Sequence, residues 1–228
     1  MNLESVLNDI KAMSPSARIE GNEVVCCLQA NPVFGAVIAR AFETNGWFFL
    51  VGIPAIQEKG EGLVLRKLKS PNLHRVFAHH LFEILNASDE PVSVGVENDA
   101  SQAIYVRTNV PAKLYSKDFL DEAVRAILST MTQYFPAFYA ITEVKQLNPF
   151  TEKTAAIGLM QACDKTVDDR ITIFSDLALR QQYQNANDPR VKEIDEEIVS
   201  HLKSMESYPA LAEYVKYVKE SLGIKEDK

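Results

Sequence analysis

Metal coordination is the first chemistry that the spacing of residues suggests. His74, His79, His80 and Glu83 fall within ten residues of one another, and His79 and Glu83, at positions i and i+4, would lie on one face of a helix. His80 would turn to the apolar side of that helix, and a closed zinc site needs about four ligands. The pattern therefore predicts structural or solvated histidines, and neither a metal nor a cofactor.

Nucleophilic catalysis would need a thiol or hydroxyl that a neighbouring base or cation activates. Cys26 and Cys27 lie in an apolar strand pattern close to Glu23, so at least one of them is expected to be a buried, inert thiol. The sequence also contains no Walker loop, no GxGxxG phosphate-binding turn and no GxSxG elbow. We therefore expect a protein that is not an enzyme.

A basic cluster is the one candidate for an anion contact, and it consists of Arg66, Lys67, Lys69 and Arg75. Bases near a turn usually form a solvated face, and this is the interpretation that we favour. The net charge of −7 is spread along the chain. Because binding to nucleic acid or anionic lipid draws on clustered cations, neither partner is expected.

An aromatic run supplies the candidate for a partner interface. Trp47, Phe48 and Phe49 are consecutive and are followed by Val51, and in a strand Phe48 must point away from Trp47 and Phe49. Both faces of that strand are therefore apolar. We favour a strand that is covered on both sides, with the C-terminal helices as one source of cover, over the alternative that these four residues form a dimer or partner interface.

The composition is that of an ordinary globular protein, with 228 residues of which 46% are hydrophobic and 24% charged. The longest apolar run, residues 47–56, has ten residues, whereas a membrane-spanning helix needs about 20. The three cysteines make an odd count, and the first residues lack the basic leader and apolar stretch of a signal peptide. We expect a cytoplasmic protein without disulfides or a membrane segment.

The first third of the chain combines helix and strand patterns. Residues 3–13 have the spacing of an amphipathic helix, and residues 23–29 form an apolar run typical of a buried strand. Residues 34–42 are ambiguous because their alanines favour a helix. The following Asn45-Gly46 instead favours a type I′ turn into residues 47–51, so we predict a hairpin here.

A second group of elements follows the loop that Gly60 and Gly62 mark. The apolar residues from 73 to 85 line one helical face, and residues 92–96 and 104–108 alternate as a second hairpin. Ser116 can cap a helix that ends near Pro136.

From Thr151 onward the pattern is helical throughout. We predict one or two helices up to Gln184 and then a pair of helices separated by Ser207-Tyr208-Pro209, the first of them starting at Asp188-Pro189. The fold class is therefore α+β, with the order helix, three antiparallel strands, helix, two strands, helix, followed by an all-helical C-terminal segment.

This order of elements resembles the type III secretion chaperone-like fold, in particular its YbjN-like relatives, which are described as bacterial sensory transduction regulators. The resemblance covers about the first three-fifths of the chain and is one of element order, carried by residues 45–50, 73–86, 92–96, 104–107, 109–111 and 117–134. It implies a twisted antiparallel sheet with helices against it, frequent homodimers and a protein segment as partner. The helices after Pro149 depart from the compact chaperone pattern.

Two domains and a binding function follow from these observations. Residues 1–148 are expected to form the chaperone-like domain, and residues 149–228 a helical extension on or beside it. We predict a non-enzymatic module that binds a protein segment through an apolar sheet face or groove, and that forms a homodimer. The alternative is a small-molecule sensor or an unrecognised enzyme with a pocket between the sheet and the helical tail.

Overall fold

The computed structural model describes residues 2–58, 62–67, 79, 82, 83, 85, 86, 91–97, 102–143 and 152–224. The strands are β1 (Arg18–Glu20), β2 (Glu23–Asn31), β3 (Gly35–Thr44), β4 (Trp47–Glu58), β5 (Gly62–Leu65), β6 (Ser93–Val96) and β7 (Ile104–Pro111). The described α-helices are α1 (Leu3–Lys11), α2 (Lys117–Glu143), α3 (Glu152–Lys165), α4 (Val167–Asn185), α5 (Val191–Glu206) and α6 (Ala212–Leu222). The predicted α+β class and helical C-terminal segment are confirmed.

The seven strands form one antiparallel sheet. Its order is β1-β2-β3-β4-β7-β6, and β5 pairs with the distal end of β4. β4 is the central strand: its first half, from Trp47 to Gly52, pairs with β7, and its last residues, from Ala55 to Glu58, pair with β5. The sheet therefore joins both predicted hairpins through β4.

The first hairpin forms as predicted. Asn45 and Gly46 have φ values of 51° and 77°, which suit the two central positions of a type I′ turn. The turn sets Thr44 opposite Trp47 and Phe42 opposite Phe49. The second hairpin, β6 with β7, is confirmed as well.

Two strands, β1 and β5, were not predicted from the sequence. They contain only three and four residues, too few for an alternating pattern to be recognised. Gly62, which the sequence suggests as a loop residue, is the first residue of β5. Of the predicted helix over residues 73–85, the described residues His79, Phe82, Glu83 and Leu85 are helical, and the other positions lie outside the described residues.

Helices α1 and α2 cover one face of the sheet. Val6 and Ile10 of α1 and Ile127 and Met131 of α2 belong to the same buried cluster as Val24, Val37, Leu50 and Val106 of the strands. The apolar residues of α2 recur every three or four positions, so that one long stripe lies against the sheet. Ser116 caps this helix as predicted, because its Oγ accepts a hydrogen bond from the backbone N–H of Phe119 at 3.1 Å.

The predicted end of α2 near Pro136 is wrong, since the helix continues to Glu143. Proline lacks the N–H that would bond to the carbonyl of Thr132, four residues earlier. That carbonyl accepts instead from Nη1 of Arg170, whose Nη2 donates to the carbonyls of Gln133 at 2.8 Å and Cys163 at 2.9 Å. A fully buried arginine of α4 thus satisfies the interrupted turn.

The C-terminal helices pack onto the rest of the core. Leu159 of α3, Ile173 of α4, Ile198 of α5 and Val215 of α6 belong to the cluster that contains the α2 stripe. Residues 151–184 contain two helices, and α5 ends before Ser207-Tyr208-Pro209 as predicted. α5 begins at Val191, shortly after the predicted start at Asp188-Pro189. Oδ1 of Asp188 accepts the backbone N–H of Arg190 at 2.9 Å, a bond typical of an N-cap acid.

Candidate functional site

The sheet face opposite α1 and α2 is the candidate functional site. Alternate residues of three neighbouring strands point to it, and the register aligns Arg40 with Val51 and Val51 with Arg107. We call this surface the open face. Its buried residues, Val51, Ile53 and Ala103, pack with half-buried Phe42, Phe49, Leu65 and Tyr105, and no residue of a described helix belongs to this cluster.

Aromatic side chains form one side of the open face. The rings of Phe42 and Phe49 stack with centroids 5.4 Å apart and an angle of 18° between their planes. Trp47, the single tryptophan of the chain, lies two residues before Phe49 and exposes 43% of its surface. The face thus presents a rigid apolar surface with an exposed indole at one end.

Two arginines flank Val51 on the same face. Arg40 is held between two carboxylates, with Nε 2.9 Å from Glu23 and Nη1 3.1 Å from Glu97. Arg107 is exposed; its Nε donates to Ser93 Oγ at 3.1 Å, and its guanidinium carbon lies 5.3 Å from the centre of the Tyr105 ring. In the part of the chain that the structure describes, Arg107 makes no ion pair.

A cavity of about 340 Å³ lies between these groups. Val51 and Phe42 form its apolar part, and Arg40, Glu97 and Arg107 form its charged part. Because Arg40 already has two carboxylate partners, Arg107 is the cation that is available to an incoming acid. The cavity can therefore take an apolar group that carries a carboxylate.

The four residues of the predicted interface do not all reach this surface. Trp47, Phe49 and Val51 lie on the open face, whereas Phe48 is buried on the other face. The centroid of its ring lies 4.8 Å from that of Tyr115 and 6.1 Å from that of Phe119. The predicted alternation is confirmed. Among the described residues, the C-terminal helices join the cluster on the Phe48 side, and none of them belongs to the cluster of Val51 and Phe49.

The sequence analysis did not identify the residues that lie beside Trp47 and Phe49 on the open face. Phe42, Arg40, Tyr105 and Arg107 come from other strands, so their proximity depends on strand pairing. The Asn45-Gly46 turn could have placed Phe42, since a two-residue loop fixes the hairpin register. The pairing of β7 with β4 has no comparable local signal.

Within the basic cluster, Arg66 is engaged with the protein itself. Arg66 is buried; its Nε donates to Thr142 Oγ1 at 2.9 Å, it pairs with Glu143, and its guanidinium carbon lies 4.7 Å from the Tyr139 ring centre. These contacts attach β5 to the end of α2. Lys67 is exposed, and Lys69 and Arg75 lie outside the described residues.

His79 and Glu83 form the predicted i, i+4 pair. Nε2 of His79 lies 3.2 Å from the carboxylate of Glu83, and both side chains are more than half exposed. Among the described residues, no group of three histidine, cysteine or acidic side chains could hold a metal ion. His74 and His80 lie outside that part of the chain.

The three cysteines are free thiols. Burial raises the pKa of Cys26 to about 11 and that of Cys163 to about 12. Burial also raises the pKa of half-buried Cys27, whereas a hydrogen bond with the backbone of Gln29 lowers that pKa. At Cys163 the effect of burial outweighs that of Arg170, which lowers the pKa. With their pKa values raised, these thiols are protonated and weakly nucleophilic at neutral pH.

We expect Cys26 and Cys163 to resist a disulfide reagent such as DTNB at pH 8 in the folded protein, and Cys27 to react slowly. All three should react at once in denaturant, and Cys27→Ser should remove the slow reaction. The pKa of Cys26 is higher in the folded protein than its ordinary value of 9.0, so the folded state favours the protonated thiol. The contribution of this protonated thiol to the free energy of unfolding is complete below about pH 9 and is lost as the pH rises through about 11. If the folded Cys27→Ser variant still reacted rapidly with DTNB, Cys26 or Cys163 would be accessible and the prediction would be wrong.

Comparisons with known proteins give no relative: no family model, no curated protein and no solved structure matches this chain. Within the described residues, none of the helices combines the length and apolar character needed to span a bilayer.

Proposed function

We propose that this protein is a non-enzymatic binding module that holds an extended segment of a protein partner on the open face. The observation that carries the proposal is the row of apolar side chains on β4, which no described helix helps to bury. At one end of this row Trp47 is exposed and Phe49 is half-buried, whereas Val51 and Ile53 are buried. Exposed apolar surface of this kind often marks a binding site. Kinship with the type III secretion chaperone-like and YbjN-like proteins, and a cytoplasmic location, are part of the proposal.

The spacing of the open face suits an extended segment. Trp47, Phe49 and Val51 alternate along one strand, so their side chains recur about every 7 Å. A bound segment in extended conformation has the same repeat, and its alternate side chains would each meet one of these residues. A partner that lies along β4 would thereby bury its apolar side chains in register with the sheet.

The charges of the open face favour a partner with an acidic residue beside its apolar ones. The single charge of Arg40 is shared by the two carboxylates of Glu23 and Glu97, so Arg40 has no charge left for a partner. Arg107 lies about two strand spacings, or ~10 Å, from Arg40. A carboxylate at Arg107 would gain a charge-assisted hydrogen bond beside an apolar contact with Val51. A second copy of this chain is the competing occupant.

Trp47 makes the proposal directly measurable, because the single indole lies at the site. Peptides of alternating apolar and acidic residues, selected from a display library, should shift its emission to shorter wavelength as they cover it. Phe49→Ala should weaken binding of these peptides about tenfold or more, since a central aromatic contact contributes about 1.4 kcal/mol or more.

The control is Leu179→Ala on α4, which also removes a large apolar side chain but one outside the open-face cluster. It should leave peptide affinity unchanged, and Arg107→Gln should weaken the acidic peptides more than their amide analogues. The proposal fails if Phe49→Ala binds the selected peptides as tightly as the wild type. A dimer by light scattering that Phe49→Ala dissociates would assign the open face to a second copy.

A further inference from the structure

A second cavity, of about 540 Å³, lies between the sheet and the last helix. Its walls come from the turn between β2 and β3, from the paired ends of β4 and β5, and from the last turns of α6. Sites for small ligands usually have volumes of about 300–1,000 Å³. This cavity is therefore large enough for a small organic molecule, and it is separate from the open face.

Two carboxylates are the charged groups of this cavity. Glu58 at the end of β4 and Glu220 on α6 line it, and its described wall contains no lysine, arginine or histidine. Neither side chain has a hydrogen-bond or ion-pair partner within the described residues. Lys219, the nearest cation in sequence to Glu220, pairs instead with Glu206.

Two other polar residues of the wall, Asn31 and Ser221, bond to the protein itself. Oδ1 of Asn31 accepts the backbone N–H groups of Val33 and Phe34 at 3.0 and 2.7 Å, and Oγ of Ser221 donates to the carbonyl of Tyr217 at 2.8 Å. The strongest unused groups are thus the two negatively charged acceptors. A ligand must bring the positive charge and the hydrogen-bond donors.

Apolar atoms complete the wall. Pro32, Ala36 and Leu63 line the cavity, and Tyr217 forms a rigid side because its ring stacks on Tyr139 with centroids 4.9 Å apart. Such a surface suits a short aliphatic body, since each buried methylene contributes about 0.8 kcal/mol.

We propose that this cavity binds a small organic cation, a free alkyl amine whose ammonium group lies against Glu58 and Glu220 and whose aliphatic body lies against Pro32 and Leu63. A ligand held between the sheet and α6 also links the C-terminal helices to the strands. This function is independent of the open face.

Isothermal titration of the full chain with 1,4-diaminobutane tests the proposal, with 1,4-butanediol as the uncharged analogue. The diamine should bind and the diol should not, and added salt should weaken the diamine because exposed charges are screened. Glu58→Gln and Glu220→Gln should each reduce diamine affinity about tenfold, while Glu122→Gln, at an exposed acid of α2, should not change it.

Circular dichroism should show both cavity variants folded, because neither carboxylate has a partner to lose among the described residues. Equal affinity for the diol, undiminished diamine binding by both cavity variants, or no heat with the diamine would each overturn the proposal. The tripeptide acetyl-Gly-Lys-Gly-amide distinguishes the source of the amine. If it binds more tightly than the diamine, the occupant is a lysine of another protein and the assignment to a free amine is wrong.

Discussion

Arg170→Met is expected to lower the free energy of unfolding by about 3–5 kcal/mol. Arg170 is fully buried, and its guanidinium donates to three carbonyls, those of Thr132, Gln133 and Cys163. Methionine fills similar space but donates no hydrogen bond, so these acceptors would lose their partner inside the protein. Denaturation in urea, followed by circular dichroism, measures the loss.

Arg180→Met, on the same helix, is the matched control. The Arg180 side chain is 36% exposed and pairs with Asp195, which is 44% exposed, so its removal should cost less than about 1 kcal/mol. Equal losses for the two variants would show that the buried hydrogen bonds of Arg170 contribute no special stability.

A double-mutant cycle tests whether Arg170 compensates for Pro136. In Pro136→Ala the new N–H can bond to the carbonyl of Thr132, so one acceptor no longer depends on Arg170. Arg170→Met should then cost about 1 kcal/mol less in the Pro136→Ala background than in the wild type. Strict additivity of the two changes would refute the coupling.

Gly35→Ala is expected to be the second large loss, about 2 kcal/mol beyond that of Gly46→Ala. Both glycines have positive φ, 65° for Gly35 and 77° for Gly46. In that conformation an alanine lowers the free energy of unfolding by about 1–2 kcal/mol. The surroundings differ: a Cβ on Gly35 would lie 2.1 Å from the Phe135 ring and 2.8 Å from the carbonyl oxygen of Ala55, whereas a Cβ on Gly46 meets nothing within 4 Å.

The comparison separates backbone strain from steric overlap, because Gly46→Ala carries only the strain. Urea denaturation of both variants gives the difference directly. Phe135→Leu should recover part of the stability of Gly35→Ala, since the smaller side chain leaves room for the added methyl group. Similar losses for the two glycine variants would mean that the core yields easily around Phe135.

Much of the fold could be predicted because its determinants are local. The first hairpin follows from Asn45-Gly46, whose positive φ values suit a type I′ turn, and the α5–α6 pair follows from periodic apolar residues around Pro209. The short strands β1 and β5 were not predicted, because three or four residues are too few to show an alternating apolar pattern. Helix α2 passed Pro136 because a guanidinium from a distant helix replaced the missing donor.

The candidate site was predictable only in part. The sequence placed Trp47, Phe49 and Val51 on one face, as strand geometry requires. It could not show that Arg107 would lie beside Val51, because that depends on the pairing of β7 with β4. Nor could it show that Arg66, an apparent surface base, would be buried against Tyr139 and Glu143.

The sequence by itself determined the elements: the alternation of β4, the turn that begins it, and the helical character of the C-terminal segment. Each depends on backbone geometry and side-chain spacing within a few residues. The tertiary structure decided which face of β4 the helices bury, what satisfies the carbonyl of Thr132, and where a cavity remains beside α6. These outcomes depend on which distant surfaces meet, because burial and hydrogen-bond satisfaction are properties of pairs of elements and not of one segment.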